Sequence, residues 1–255
     1  MRKQQKRSNR GEHHADRKAA FDGNAVIDLN HFRDTDKPSK YKRVEIMPRN
    51  LRQEDYLAHL ESPKKDMVFA LGPAGTGKTL IATLWAIKQL KAREIERIVI
   101  TRPAVSVDEQ HGFLPGTLEQ KMAPWTRPIM DVFRDFWNPK QIESMLEDEV
   151  IEIAPLAYMR GRTFKNCVII GDELQNSTIS QMKMLLTRIG EGSKMIITGD
   201  LNQHDRGFED NGLADFIKRL TADPSSRMAL VEFAREHVER HPAVTEVLRI
   251  YGDDV

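Results

Sequence analysis

Three groups of residues in this chain have the types and spacing to act on a nucleotide. The stretch Leu71-Gly72-Pro73-Ala74-Gly75-Thr76-Gly77-Lys78-Thr79 fits G-x-x-x-x-G-K-[ST]. In such a loop Gly72, Pro73, Ala74, Gly75, Thr76 and Gly77 turn backbone N–H groups toward a polyphosphate. Lys78 supplies a point charge for the β- and γ-phosphates, and the Thr79 hydroxyl faces Mg²⁺. Asp172-Glu173 follow the apolar run Cys167-Val168-Ile169-Ile170. This order reads as a Walker B element, with Asp172 holding Mg²⁺ through water and Glu173 orienting and deprotonating the attacking water. Another apolar run ends in Thr198-Gly199-Asp200-Leu201-Asn202-Gln203. There Gln203 or Asp200 could meet the γ-phosphate and report its hydrolysis. A glycine-rich turn by itself, or an apolar strand ending in Asp-Glu by itself, is ordinary structure. Together and in this order they read as ATP hydrolysis rather than binding alone.

The elements around these residues must hold them at one edge. Met67 to Leu71 is apolar and bounded, so it reads as a buried strand, and the helical run Leu80 to Leu90 would aim its N-terminus at the phosphates. Further strands are expected over Arg97–Thr101, Val150–Ile153, Cys167–Ile170, Lys194–Thr198 and Ala229–Phe233. Pro103 stops the second of them and leaves Thr101 and Arg102 at the C-terminal edge, where open α/β sheets bind ligands. A helix is expected after Pro48 with Asn50 as N-cap, and others over Asn176–Ile189, Gly212–Leu220 and His241–Tyr251. Ala104 to Pro128, centred on Gly112-Phe113-Leu114-Pro115-Gly116, reads as an insertion with short helices. Helical pieces follow over Ile129–Trp137 and Gln141–Leu146, with Met, Phe and Trp on one side as core or subunit contact. Gln53, on the helix after Asn50, stands upstream of the P-loop at a distance suited to reading adenine. A carboxamide can pair with N6 and N7 together, although a helical Gln is as readily a surface residue. The fold expected is α/β, a P-loop NTPase core with a mostly parallel sheet flanked by helices.

Composition narrows the classes. The chain has 255 residues, 30% of them charged, with a formal net charge of only +1, so any nucleic-acid surface must come from local clustering. Residues 1–43 form a basic arm carrying Arg2, Lys3, Lys6, Arg7, Arg10, Arg17 and Lys18, read as a solvated tail in preference to an RNA contact. Residues 44–255 form the ATPase domain. The single cysteine, Cys167, excludes an intramolecular disulfide framework and a cysteine-rich zinc site. No apolar run approaches the ~18 residues of a membrane span, and the basic N-terminus has no apolar signal core. The expectation is a cytoplasmic protein with no membrane partner.

Several short stretches, taken in order, resemble the PhoH family of P-loop ATPases from about Pro48 to Tyr251. They are Gly72–Thr79, Thr101-Arg102-Pro103-Ala104-Val105, Gly112–Gly116, Met159-Arg160-Gly161-Arg162-Thr163, Asp172-Glu173-Leu174-Gln175-Asn176, Gln181-Met182-Lys183-Met184, Thr198-Gly199-Asp200 and Arg240-His241-Pro242. Two positions depart from the family pattern: Leu174 stands where alanine is usual and Gly171 where a larger apolar residue is usual. The resemblance implies a RecA-like core related to superfamily 1 helicases, ATP and Mg²⁺ as ligands, and a ring-shaped homo-oligomer, expected as a hexamer. It also implies a role in RNA metabolism, with single-stranded RNA as partner, and a bacterial or phage source. The leading reading is an RNA-acting ATP-driven motor or remodeller, which includes a helicase. Its rivals are an ATP-gated interaction protein without translocation and a small-molecule kinase, against which Glu173 and Gln203 argue. Because one core accounts for residues 44–251, the arginine completing each ATP site is expected from a neighbouring subunit. Arg160, Arg162 and Arg240 are the candidates, Arg240 the preferred one.

Overall fold

In a computed structural model of the chain, the residues described are 43–103, 118–203, 211–239 and 242–251. The basic arm to residue 42, the Gly112–Gly116 stretch and Arg240-His241 lie outside them. Six strands form one sheet: β1 (Met67–Leu71), β2 (Arg97–Arg102), β3 (Ile151–Pro155), β4 (Cys167–Gly171), β5 (Lys194–Gly199) and β6 (Met228–Glu232). Their order is β3-β2-β4-β5-β1-β6, and every pairing is parallel. The strands that sequence reading expects are all present. β1 and β4 are buried along their whole length, as continuous apolar runs in a sheet covered on both faces require.

The helices are α1 (Leu51–Glu61), α2 (Lys78–Ala92), α3 (Leu118–Arg134), α4 (Pro139–Glu147), α5 (Ile179–Leu186), α6 (Gly212–Ala222) and α7 (Pro242–Tyr251). Asn50 caps α1, its side chain accepting from the Gln53 N–H. Reciprocal capping boxes start α4, from Asn138 and Gln141, and α5, from Thr178 and Gln181. One core cluster joins Phe69 and Leu71 of β1, Ile169 of β4 and Ile197 of β5 to Met182 and Leu185 of α5 and Leu213 of α6. Cys167 lies in it, and burial pushes its thiol pKa up, so it is a core residue as expected.

Two helical expectations need correction. The expected helix Asn176–Ile189, with its start expected at Ser177 or Thr178, is present but shorter: Thr178 is its start, α5 ends at Leu186, and Asn176 belongs to a preceding 3₁₀ turn, Leu174–Asn176. The Ser177 hydroxyl donates back to Leu174 O at 2.6 Å, and Thr178 caps a fresh helix start, so side-chain bonds outcompete a continuous ladder. The expected break between an insertion ending at Pro128 and a helix from Ile129 is absent. α3 runs through Pro128, with Thr126, Ile129 and Phe133 buried at helical spacing; packing of that face overrides the local penalty of proline. Phe133, Phe136 and Trp137 are buried, so these aromatics are core and not stacking platforms. Among the described residues no helix is long and apolar enough to cross a membrane.

Candidate phosphate-binding site

The loop between β1 and α2 has Gly72, Gly75 and Gly77 at positive φ, of 136, 87 and 83°, where only glycine is at ease. Gly72 also has no room for a side chain, since a Cβ there would run into the backbone oxygen of Phe233. Lys78, the first residue of α2, is only 8% exposed. Its ammonium donates to Gly72 O at 2.6 Å, Pro73 O at 2.7 Å and Thr76 Oγ1 at 3.3 Å. Burial lowers its pKa, while Glu173, Asp200 and Asp172 pull it back up. The lysine therefore stands where its charge faces three carboxylates across the mouth of the loop.

Asp172 follows β4 and is nearly buried. Its Oδ1 accepts from Thr79 Oγ1 and Thr198 Oγ1, both at 2.7 Å, and Arg102 NH1 lies 3.6 Å from Oδ2. Its N–H donates to Thr101 O at 2.9 Å. The Thr101 hydroxyl beside it is buried, with no hydrogen-bond partner among the described residues. These groups fit a hard cation: a carboxylate, a hydroxyl and an unspent buried hydroxyl are all oxygen donors. Among the described residues no cluster of three acidic, His or Cys side chains could hold a metal unaided. Mg²⁺ keeps several waters and takes further ligands from substrate phosphates, so Thr79 and Asp172 are the residues that would hold it.

Glu173 has φ 54°, a left-handed conformation uncommon for a side chain of its size. Gln175 Nε2 donates to its Oε2 at 2.5 Å, and Gln175 Oε1 accepts from the Asp200 N–H at 3.1 Å. Asp200 is buried and its carboxylate accepts from the Asn202 N–H. Gln203 stands exposed on the turn beyond, its own N–H bonded to Asp200 O. Of the two expected sensors, the structure brings Asp200 to the site and leaves Gln203 outside it.

Gln53 is close to the loop but occupied. It is 4% exposed, its Oε1 accepts from the Arg49 N–H at 2.8 Å, and its Nε2 donates to Thr76 O at 3.1 Å. Each end of the carboxamide holds one of its two possible bonds, and these brace the P-loop against α1. Arg162 is likewise committed. It makes a bidentate pair with Glu152, which raises its pKa, and packs 4.5 Å over the Phe164 ring. Glu152 sits near the start of β3, at the sheet edge away from the P-loop, so Arg162 is a structural arginine. Arg160 is exposed and in no ion pair among the described residues, while Arg240 lies outside them. Arg102, Thr198 and Gln175 escape assignment from sequence. The signal for each was its place within four residues of a strand's C-terminal end, which marks the edge but not the partner.

The departures at 171 and 174 explain each other. A Cβ added to Gly171 would lie 2.9 Å from Leu174 Cδ2 and 2.9 Å from Ile197 Cδ1. Leu174, fully buried, fills the space that a larger residue at 171 would occupy. Volume has moved from strand to turn, and the acidic pair between them is untouched.

The family model of the PhoH-like protein matches residues 45–252. The PhoH-like protein of Bacillus subtilis (strain 168) is 42% identical over 217 residues, 84% of this chain and 66% of the relative. That of Synechocystis sp. is 42% identical over 215 residues, 84% and 64%, and Protein PhoH of Escherichia coli (strain K12) 42% over 211 residues, 81% and 58%. The chain thus spans about two thirds or less of these relatives' length. Among solved structures, the Sulfolobus solfataricus SWI2/SNF2 ATPase core in complex with dsDNA has a TM-score of 0.44 at 14% identity, covering 78% of this chain and 46% of that one. Pif1 helicase from Candida albicans has a TM-score of 0.35 at 15% identity, covering 74% and 41%. With the family match running from ahead of α1 to the end of α7, and the parallel P-loop sheet beneath it, this chain belongs to the PhoH-like family.

Proposed function

We propose that this chain is a Mg²⁺-dependent ATPase that acts on single-stranded RNA as a motor or remodeller, with its ATP sites between the subunits of a ring. The observation that carries the hydrolytic part is the Thr79–Asp172 bond of 2.7 Å, which joins the P-loop to the acid preceding Glu173. Thr79 and Asp172 are the residues that would hold the metal, which when bound adds positive charge beside the phosphates. Lys78 exchanges its bonds to Gly72 O and Pro73 O for phosphate oxygens. Glu173 accepts the proton of the attacking water, and Asp200 lies where a change at the γ-phosphate is felt by β5. Charge developing in phosphoryl transfer is met by these preset groups.

Arg160 is the arginine we assign to the neighbouring site. It follows β3, which is four strands from β1 in the sheet order, a separation of about 19 Å at the usual strand spacing. An exposed arginine this far from its own P-loop supports a role in trans. Arg240 stays a second candidate. The RNA part is supported by the family resemblance and by exposed Tyr158, 61% accessible, beside Arg160, a pairing of ring and cation that suits single strands.

The test is ATP hydrolysis with and without single-stranded RNA across a salt series. Stimulation that weakens steeply with salt is expected; unchanged turnover with RNA would remove RNA from the reading. Mixing Lys78→Ala with Arg160→Ala protein should restore part of the activity, since some mixed interfaces carry both residues intact. No recovery despite subunit exchange passes the role to Arg240.

A further inference from the structure

The end of β5 touches every part of this site. Gly199 O accepts the Gly72 N–H of the P-loop at 3.0 Å. Thr198 Oγ1 donates to Asp172 at 2.7 Å. The Asp200 N–H donates to Gln175 Oε1 at 3.1 Å, and Gln175 Nε2 donates onward to Glu173 Oε2 at 2.5 Å. The first acid is therefore held by β5 directly, and the second through one carboxamide that is 1% exposed.

Two backbone features serve that carboxamide. Glu173 is left-handed, and the 3₁₀ turn Leu174–Asn176 follows at once; this sharp reversal lets side chains two positions apart meet. Gly199 leaves the room it needs, since a Cβ there would lie 2.9 Å from Gln175 Oε1. A carboxamide is the side chain that can donate at one end and accept at the other. Its bond to a carboxylate is charge-assisted, so it fixes one oxygen of Glu173 and leaves the second to face water.

We infer that Gln175 is the positioning residue of the hydrolytic step: Nε2 sets the direction of the Glu173 carboxylate, and Oε1 ties that direction to the end of β5. This rests on the hydrolase reading with Glu173 as base, and it deepens that reading. Movement of Asp200 then reaches the base through two hydrogen bonds, without passing through the P-loop. Gln175 acts through Glu173, so its loss lowers turnover and leaves nucleotide affinity in place. A buried amide with only a structural task would instead lower both, whatever residue stood at 173.

The experiment is a double-mutant cycle on the full chain with Gln175→Met, Glu173→Gln and the pair together. Single-turnover ATP hydrolysis with Mg²⁺ is measured beside the affinity for a fluorescent ADP analogue. In the wild-type background Gln175→Met is expected to slow hydrolysis by about 10- to 100-fold, the scale of a misplaced catalytic group. ADP affinity should stay within about threefold, and in the Glu173→Gln background the same change should cost less than about twofold. Equal losses in both backgrounds, or affinity falling as far as turnover, overturn the inference. Should the methionine variant fail to fold, Gln175→Asn takes its place under the same criteria; it keeps a polar group but is one methylene too short to reach both partners. A wild-type chain that does not hydrolyse ATP removes the hydrolase reading and the inference together. An active wild type with an additive cycle removes only the inference.

Discussion

Two lysines, Lys78 buried and Lys194 half-buried, stand at opposite edges of the same sheet and make nearly the same bonds. Lys78, opening α2, donates to Gly72 O at 2.6 Å and Pro73 O at 2.7 Å. Lys194, opening β5, donates to Leu60 O at 2.5 Å and Ser62 O at 2.8 Å. Burial lowers both pKa values, Lys194 down to about 8. Their surroundings separate them. Lys78 faces Glu173, Asp200 and Asp172 and a loop with three glycines at positive φ. Lys194 has Asp66 as its charged influence, lies 5.1 Å from the Trp85 ring, and bonds carbonyls at the C-terminal end of α1, groups that a helix leaves without internal partners. One lysine is poised to exchange carbonyls for phosphate, and the other closes a helix end. The cavity of about 1050 Å³ at the Lys194 edge does not reverse this. Its cations are already committed: Lys65 to Ser226 O and Met228 O, Arg227 to Asp66, and Lys194 to α1. Volume whose cations are already spent is a weaker mark of a phosphate site than a small cradle of preset donors.

The contrast is sharpened most by Glu173→Gln. The amide keeps shape but cannot take the proton, so hydrolysis should fall by about 10²- to 10⁴-fold while ATP still binds. Normal turnover in a steady-state phosphate-release assay would strip Glu173 of its role. Next comes Lys78→Ala, expected to cost about 10²- to 10³-fold in turnover, with nucleotide affinity lost as well. Lys194→Met should leave turnover per folded molecule unchanged; a comparable loss there would erase the distinction between the two edges.

Stability measurements give the smaller effects. Leu174→Ala should cost about 2–5 kcal/mol in urea unfolding, through the cavity it opens. Gly171→Ala should cost about 1–3 kcal/mol by crowding Leu174 and Ile197. The two together should cost less than their sum by about 0.5–3 kcal/mol, and strict additivity would mean that the exchange of volume is accidental. The smallest effect is a pH dependence. Lys194 titrates at about 8 in the folded chain and at ~10.4 when unfolded. Between those values the unfolded chain holds more protons, so the half-buried lysine penalises folding fully below pH 8, and the penalty fades as pH rises toward 10.4. Partial exposure limits the gain to about 1 kcal/mol. Thermal melts of wild type against Lys194→Met at pH 8 and pH 10 should show it; a constant difference would mean that Lys194 is not desolvated.

Much of the site was legible because its residues are contiguous. Gly72 to Thr79 make one turn, and Asp172-Glu173 end one strand, so periodicity and local chemistry suffice to place them. What escaped was pairing across strands. Thr198 and Thr79 meet on one carboxylate oxygen although they stand 119 positions apart in the chain. Gln53 reads equally as an adenine contact or a surface residue, and the structure buries it with bonds to Arg49 and Thr76. Arg162 reads as a free finger until Glu152 takes it. Side-chain commitment depends on who stands opposite, which spacing does not carry.

The sequence by itself determined the strands, their apolar cores and the phosphate loop, because each is written in a short window as hydrophobic period, glycine conformational freedom and a charge at a helix start. Only the tertiary structure decided the order β3-β2-β4-β5-β1-β6, and with it which polar ends become neighbours. That order sets β5 between β4 and β1, so one strand end holds Asp172 through Thr198, takes the Gly72 N–H, and reaches Glu173 through Gln175. The physical reason is that hydrogen bonds act over about 3 Å in space, and distance in space is fixed by strand order, not by separation along the chain.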